Sequence, residues 1–201
     1  MVGVSVLAYA LLHVGLYAAE EQWNMVKVAT EIAQRVYLAI GFVALVGLAV
    51  LGATSFDAAI RGLGRNWQRL HSLVYGIGAL ALVHFFLQSK SDVYEPTLMA
   101  GLFLLLMLFR LSVKVGADVA NPLVLAGCGI LAAIGTAGLE YAWYALATGI
   151  PADRVFAANF DVLTAVRPAL WVGFSGLAMV AAALFWQNRD VARGRLGFKW
   201  G

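Results

Sequence analysis

The chain contains only three histidines, and all three lie in or at the edge of long apolar stretches. His71 and His84 share the segment GRNWQRLHSLVYGIGALALVHFFLQSK (64–90), and His13 sits inside LAYALLHVGLY (7–17). An ionisable side chain in lipid is costly and by default marks a functional site. Neutral imidazole is a metal ligand, and two imidazoles facing each other from neighbouring helices suit the iron of a haem. The plainer use of a membrane histidine is a hydrogen bond to the next helix. Depth and spacing decide between the two.

Of the 201 residues, 62% are hydrophobic and 12% charged, with a mean hydropathy of +0.83. A soluble domain carries about twice that charged fraction, so the chain reads as one polytopic, all-α membrane bundle. A single cysteine, Cys128, excludes an intrachain disulfide and any zinc or iron–sulfur site built on cysteine pairs. Its apolar setting reads as packing. The net charge of +3 calls for no nucleic acid, because cytoplasmic loops of membrane proteins are basic anyway. No basic n-region or small-residue cleavage site marks a signal peptide.

Six apolar segments follow in order: 2–19, 36–53, 70–87, 97–113, 122–147 and 165–186. Each is near the roughly 17–25 residues that a spanning helix needs. The first begins almost at Met1, so either it is short or further sequence lies upstream. The loop holding Glu20, Glu21, Lys27, Glu31 and Arg35 sums to −1, as does that with Lys90, Asp92 and Glu95. The loop with Asp57, Arg61, Arg65 and Arg69 sums to +2, and that with Arg110, Lys114 and Asp118 to +1. The tail with Arg189, Asp190, Arg193, Arg195 and Lys199 sums to +3. Every second connection is basic, which places both termini in the cytoplasm by the positive-inside rule.

In that topology the first and third segments run the same way. His13 lies six residues before the end of its segment and His84 three before the end of its own. At 1.5 Å per residue their depths agree to about 5 Å. A porphyrin on edge between two helices needs such a pair at a common height, so the expected site holds haem between segments 1 and 3. His71 lies 13 residues before His84, about 20 Å away along an uninterrupted helix and about 140° around it. It cannot share the same iron.

Gly41, Gly47 and Gly52 line the second segment, and Gly15, Gly76 and Gly78 lie near the histidines. Small residues there serve close helix packing or leave room for a flat cofactor. Trp23, Trp67, Tyr94 and Trp186 sit at segment ends as interface anchors. Arg61, Arg65 and Arg69 form a positive-inside loop. They could equally grip haem propionates, a flavin phosphate or an acidic electron-donating partner.

The motif LGRNWQRLHSLVY, with HFFLQSK beginning 13 residues after its histidine, resembles the haem-b membrane subunits of bacterial periplasmic methionine sulfoxide reductase systems. These belong to the wider ferric reductase-like transmembrane group, which also holds NADPH oxidases. The likeness extends through YALLHVGLY, EIAQRVYLAIGF and LGATS, and covers roughly Met1 to Leu111. The resemblance implies that His13 and His84 are the haem pair and that His71 is the family's additional histidine near the cytoplasmic face. Family members carry further helices and a double arginine ahead of the first histidine-bearing helix, whereas this chain begins almost at that helix. The last two segments match nothing in the family. Residues 1–113 are therefore expected as a four-helix haem-binding core, and 114–201 as two additional helices with a basic tail.

The implied task is transmembrane electron transfer in the bacterial inner membrane. A cytoplasmic-side quinol or flavin reductase would donate, and a periplasmic oxidoreductase, by resemblance one that repairs oxidised methionine, would accept. One haem b is expected at His13 and His84. A second at His71, with Arg65 and Arg69 on its propionates, would carry electrons through the inner half of the bilayer, although no fourth histidine faces it. FMN or a quinone is a further candidate cofactor. No nucleotide-binding glycine motif is present, so direct use of NADPH needs a partner. The rival readings are an accessory subunit that docks in a larger complex, and a ferric or quinone reductase of the same fold.

Overall fold

The structure, a computed structural model, describes residues 2–90, 92–163 and 165–197. Among them are ten helices and no strand: α1 (Val2–Glu20), α2 (Met25–Gln34), α3 (Val36–Ala53), α4 (Asp57–Leu63), α5 (Arg65–His71), α6 (Val74–Ser89), α7 (Tyr94–Lys114), α8 (Pro122–Ala147), α9 (Ala152–Ala158) and α10 (Pro168–Gly197). Five spans are long and apolar enough to cross a membrane: 36–53, 65–89, 94–114, 122–147 and 168–189. In α1 the apolar stretch Leu7–Glu20 is shorter. The protein is a multi-pass helical membrane protein, and the six expected segments coincide with these helices. Lys199 of the basic tail lies outside the described residues.

Many large apolar side chains point outward. Leu11, Leu12, Val43, Leu106, Ile130 and Leu177 are all exposed, as lipid-facing residues should be. Lipid tails are as apolar as leucine, so helices in a membrane associate through close packing and interhelical hydrogen bonds. The chain divides after Lys90 into two compact units.

In the first unit α3 packs against α6, α1 and α2. Ala44, Leu51 and Ile77 form its buried centre, with Leu48, Leu70 and Leu80 against them. Two features depart from the sequence expectation. Residues 25–34, read as a polar loop, form an amphipathic helix. Asn24 caps it by accepting the Lys27 backbone N–H at 3.0 Å, and Val28 buries its apolar side. The helix carrying His71 and His84 is also not one uninterrupted cylinder. The Leu73 N–H bonds back to Leu70, three residues away, and Ser72 Oγ donates to the Arg69 carbonyl at 2.6 Å. This tighter turn ends α5 before α6 begins, so the angle expected from ideal winding does not carry across it.

In the second unit α8 packs on α10, α7 and α9. Asn121 caps α8, with Pro122 in its first turn, where a missing N–H costs nothing. Leu105, Cys128, Ala132 and Val172 form the core. At the α8–α10 crossing Gly129 meets Gly176. A Cβ built on Gly176 would stand 2.6 Å from the Gly129 Cα, and backbone cannot swing aside as a side-chain tip can. Gly176→Val should therefore force the helices apart and destabilise this unit by about 1–3 kcal/mol, read as a lower unfolding midpoint in detergent. Gly127→Val, where nothing lies within 4 Å of the added Cβ, should leave the midpoint within error.

Candidate functional site

His13 projects from α1 and His84 from α6, and the fold brings their rings together. The ring centroids are 6.4 Å apart and the ring planes cross at 83°. Metal–imidazole bonds are about 2.0–2.1 Å, so two rings at this separation leave room for one metal between them, which His13 and His84 could hold from either side. A haem needs only axial ligands from the protein, and among the described residues no three of His, Cys, Asp and Glu converge as a protein-ligated ion would require.

The proton on His84 is fixed by its partner. Nδ1 lies 2.7 Å from the Tyr37 carbonyl oxygen, which can only accept. Nδ1 therefore donates, and Nε2 keeps the free lone pair. Metal-ligating histidines are oriented in this way by a hydrogen bond to backbone or carboxylate. Gly41, one helical turn beyond Tyr37, lies directly beneath the ring, as its distances to His84 show.

A polar strand joins the helices at this end. Tyr17, one turn after His13, donates to Glu31 on α2. Arg35 pairs with Glu31 at 3.4 Å and donates to the Tyr37 hydroxyl at 3.1 Å. The Tyr37 hydroxyl and the Glu31 charge together hold the Arg35 guanidinium above its ordinary pKa. The helix α2, invisible to hydropathy, thus supplies the acceptor that ties α1 to the start of α3. Arg35 is exposed, so its bonds to Glu31 and Tyr37 contribute little by themselves.

His71 stands at the opposite end of α3. Its Nε2 is 3.1 Å from Thr54 Oγ1, and Thr54 and Tyr37 are 17 residues apart, about 25 Å along α3. The Thr54 hydroxyl also lies 2.8 Å from the Val50 carbonyl and 3.2 Å from that of Leu51, so it bonds His71 either by accepting from Nε2–H or by donating to a bare Nε2. The His71 ring also stacks on Trp67, with centroids 4.1 Å apart and planes 25° apart. Trp67 is held in turn by its Nε1–H to the Thr54 carbonyl at 2.9 Å. Arg65 and Arg69 are exposed on α5 and form no ion pair among the described residues. His71, Arg65 and Arg69 thus share one end of the first unit, and His13 and His84 the other.

The second unit holds a polar cluster that loop charges alone do not show. Glu140, within the α8 span, is fully buried. It accepts from Arg167 Nη2 at 2.5 Å and from Asn159 Nδ2 at 2.5 Å. Asn159 spends its other amide hydrogen on the Val155 carbonyl at 3.2 Å. A single acid inside an apolar segment was the available signal.

The family "Ferric reductase like transmembrane component" matches residues 1–82. The chain is 38% identical over 120 residues to the "Protein-methionine-sulfoxide reductase heme-binding subunit MsrQ" of Xanthomonas euvesicatoria pv. vesicatoria, covering 58% of this chain and 54% of that protein. The protein of the same name from Xanthomonas campestris pv. campestris is 40% identical over 111 residues, or 55% and 51% of the two chains. That from Brucella anthropi is 39% identical over 110 residues, or 54% and 50%. The chain spans about half the length of these curated relatives. No solved structure matches.

Proposed function

We propose that residues 1–82 are a ferric reductase-like transmembrane component, the family whose model they match, and that the protein is the haem-binding electron carrier of a methionine sulfoxide reductase system. The observation that carries this reading is the facing pair His13 and His84, with the His84 tautomer set for ligation by the Tyr37 carbonyl. The haem would supply one-electron chemistry. His13 on α1 and His84 on α6 would hold it from two helices, and the Tyr37 carbonyl would fix which His84 nitrogen is free to ligate.

The cofactor we propose is one haem b per chain. His71 Nε2 is committed to Thr54, so His71 fits better as a contact at the electron-input face than as a second axial ligand. Arg65 and Arg69 beside it offer two guanidinium groups to an anionic donor or to a flavin phosphate. The alternating loop charges support both termini in the cytoplasm of the bacterial inner membrane, with this end of the first unit inward and the His13–His84 end outward. Electrons then run from a quinol or flavin reductase inside to a periplasmic catalytic partner that reduces oxidised methionine. The last two helices are additional to the 1–113 core and serve partner docking or anchoring.

The test is a proteoliposome holding the full chain. A quinol should reduce the haem, and an impermeant acceptor outside should reoxidise it; a haem that quinol and a cytoplasmic-side reductase both fail to reduce would exclude the carrier role. His71→Ala should leave one haem per chain and an unchanged spectrum while slowing quinol-driven reduction. An unchanged rate would make His71 an ordinary interfacial residue.

A further inference from the structure

We propose that Gly41 and the Tyr37 carbonyl are the positioning elements of the His84 ligand, a notch and a stop built into one turn of α3. The inference rests on the haem reading above and adds residues that neither the relatives' names nor the family match assigns.

A helix carbonyl at Tyr37 normally accepts the N–H four residues on, at Gly41. Oxygen has a second lone pair, and His84 Nδ1 takes it at 2.7 Å. To reach an acceptor already enclosed in the helix, the imidazole must lie against the helix surface beside it. Position 41 covers that surface. A Cβ built there would stand 2.7 Å from His84 Nδ1, 2.8 Å from Cε1 and 3.0 Å from Cγ. Three ring atoms at such distances mean that the ring occupies the volume a methyl group would fill. The ring is flat and rigid, and withdrawing it breaks the hydrogen bond and displaces Nε2 together.

The glycine at 47 provides the contrast on the same pair of helices. A Cβ there would meet Ile77 Cδ1 at 2.7 Å and Cγ1 at 2.8 Å, which is as tight as at Gly41. The neighbour, however, is an aliphatic side chain of the α3–α6 core, so a clash there strains packing but displaces no candidate ligand. Two methyl groups of equal size at one helix interface should thus differ in consequence, because only one meets a ligand. Alanine is also the better helix former, so neither change weakens α3 by itself.

The hydrogen bond has an electronic effect as well. Donation from Nδ1–H to a carbonyl raises the basicity of the ligating nitrogen, which favours the oxidised iron and lowers the midpoint potential. Releasing His84 from Tyr37 should raise that potential.

The experiment compares Gly41→Ala, Gly47→Ala and His84→Ala in the full-length protein, by haem titration, absorption spectrum and redox titration. Gly41→Ala should weaken haem binding about 10–100-fold, as loss of an orienting partner does. It should convert part of the low-spin haem to high spin and raise the potential of the remainder, whereas Gly47→Ala keeps the parent spectrum and potential. A Gly41→Ala spectrum identical to the parent, or equal losses in both glycine variants, would overturn the inference while the haem reading stands. Retention of low-spin haem by His84→Ala would instead defeat the haem reading. If Gly41→Ala does not fold, Gly41→Ala/His84→Ala should recover the thermal stability of His84→Ala, since the methyl group then meets no ring. A double variant as unstable as Gly41→Ala alone would show that the methyl group disrupts α3 packing and not ligand position.

Discussion

His84→Ala should strip the protein of low-spin haem and lower its haem affinity by more than tenfold. Outer-sphere partners of metal-binding histidines are each worth about 10–100-fold, and an axial ligand is worth at least that. His13→Ala should also abolish the low-spin spectrum but leave a five-coordinate, high-spin haem. The two imidazoles differ in support. His84 is locked between the Tyr37 carbonyl and the Gly41 surface, whereas His13 is exposed. The remaining ligand in His13→Ala is thus the anchored one. Haem content by pyridine haemochrome and the spin state by absorption separate the variants. Full haem content with a bis-histidine spectrum in both would refute the ligand assignment.

Glu140→Ala should be the most destabilising single change in the second unit. Removing one partner of a buried ion pair costs about 3–5 kcal/mol, because the other charge is left without compensation. The Arg167 side chain is 23% exposed, which places the effect near the lower end of that range. Asn159 would lose its acceptor as well, and with it the tie between α9 and α8. Glu140→Ala/Arg167→Ala should recover part of the loss by removing the stranded charge. Unfolding in mixed detergent measures both. A Glu140→Ala midpoint equal to the parent's would show that the pair does not hold this unit together.

The six apolar segments were legible because a membrane helix declares itself by length and composition, and the structure places helices over all six. The depth match of His13 and His84 was legible too, since rise per residue converts sequence position into height. What escaped had no such one-dimensional sign. The helix α2 is ten residues long and carries charges on its open side, so hydropathy reads it as loop. The tightened turn at Ser72–Leu73 depends on local hydrogen bonds and broke the assumption of ideal winding between His71 and His84. The acceptor that orients His84 is a backbone carbonyl, which any residue type would supply. Gly41 could be seen as a small residue, but not that a ring rests on it. Glu140 is visible in the sequence as the single acid of α8, but its partners Arg167 and Asn159 lie 27 and 19 residues away and have no sign in loop charge. The grouping of α7 with α8 and α10 has no counterpart in hydropathy.

Whether a haem between α1 and α6 serves transmembrane electron transfer in this protein is read first from the reduced-minus-oxidised spectrum of the purified full-length chain and its haem-to-protein ratio. A sharp b-type α-band, low-spin iron in both redox states and a ratio of one are the expected results. Folded, membrane-inserted protein that shows no α-band after expression with ample haem supply would contradict the haem reading.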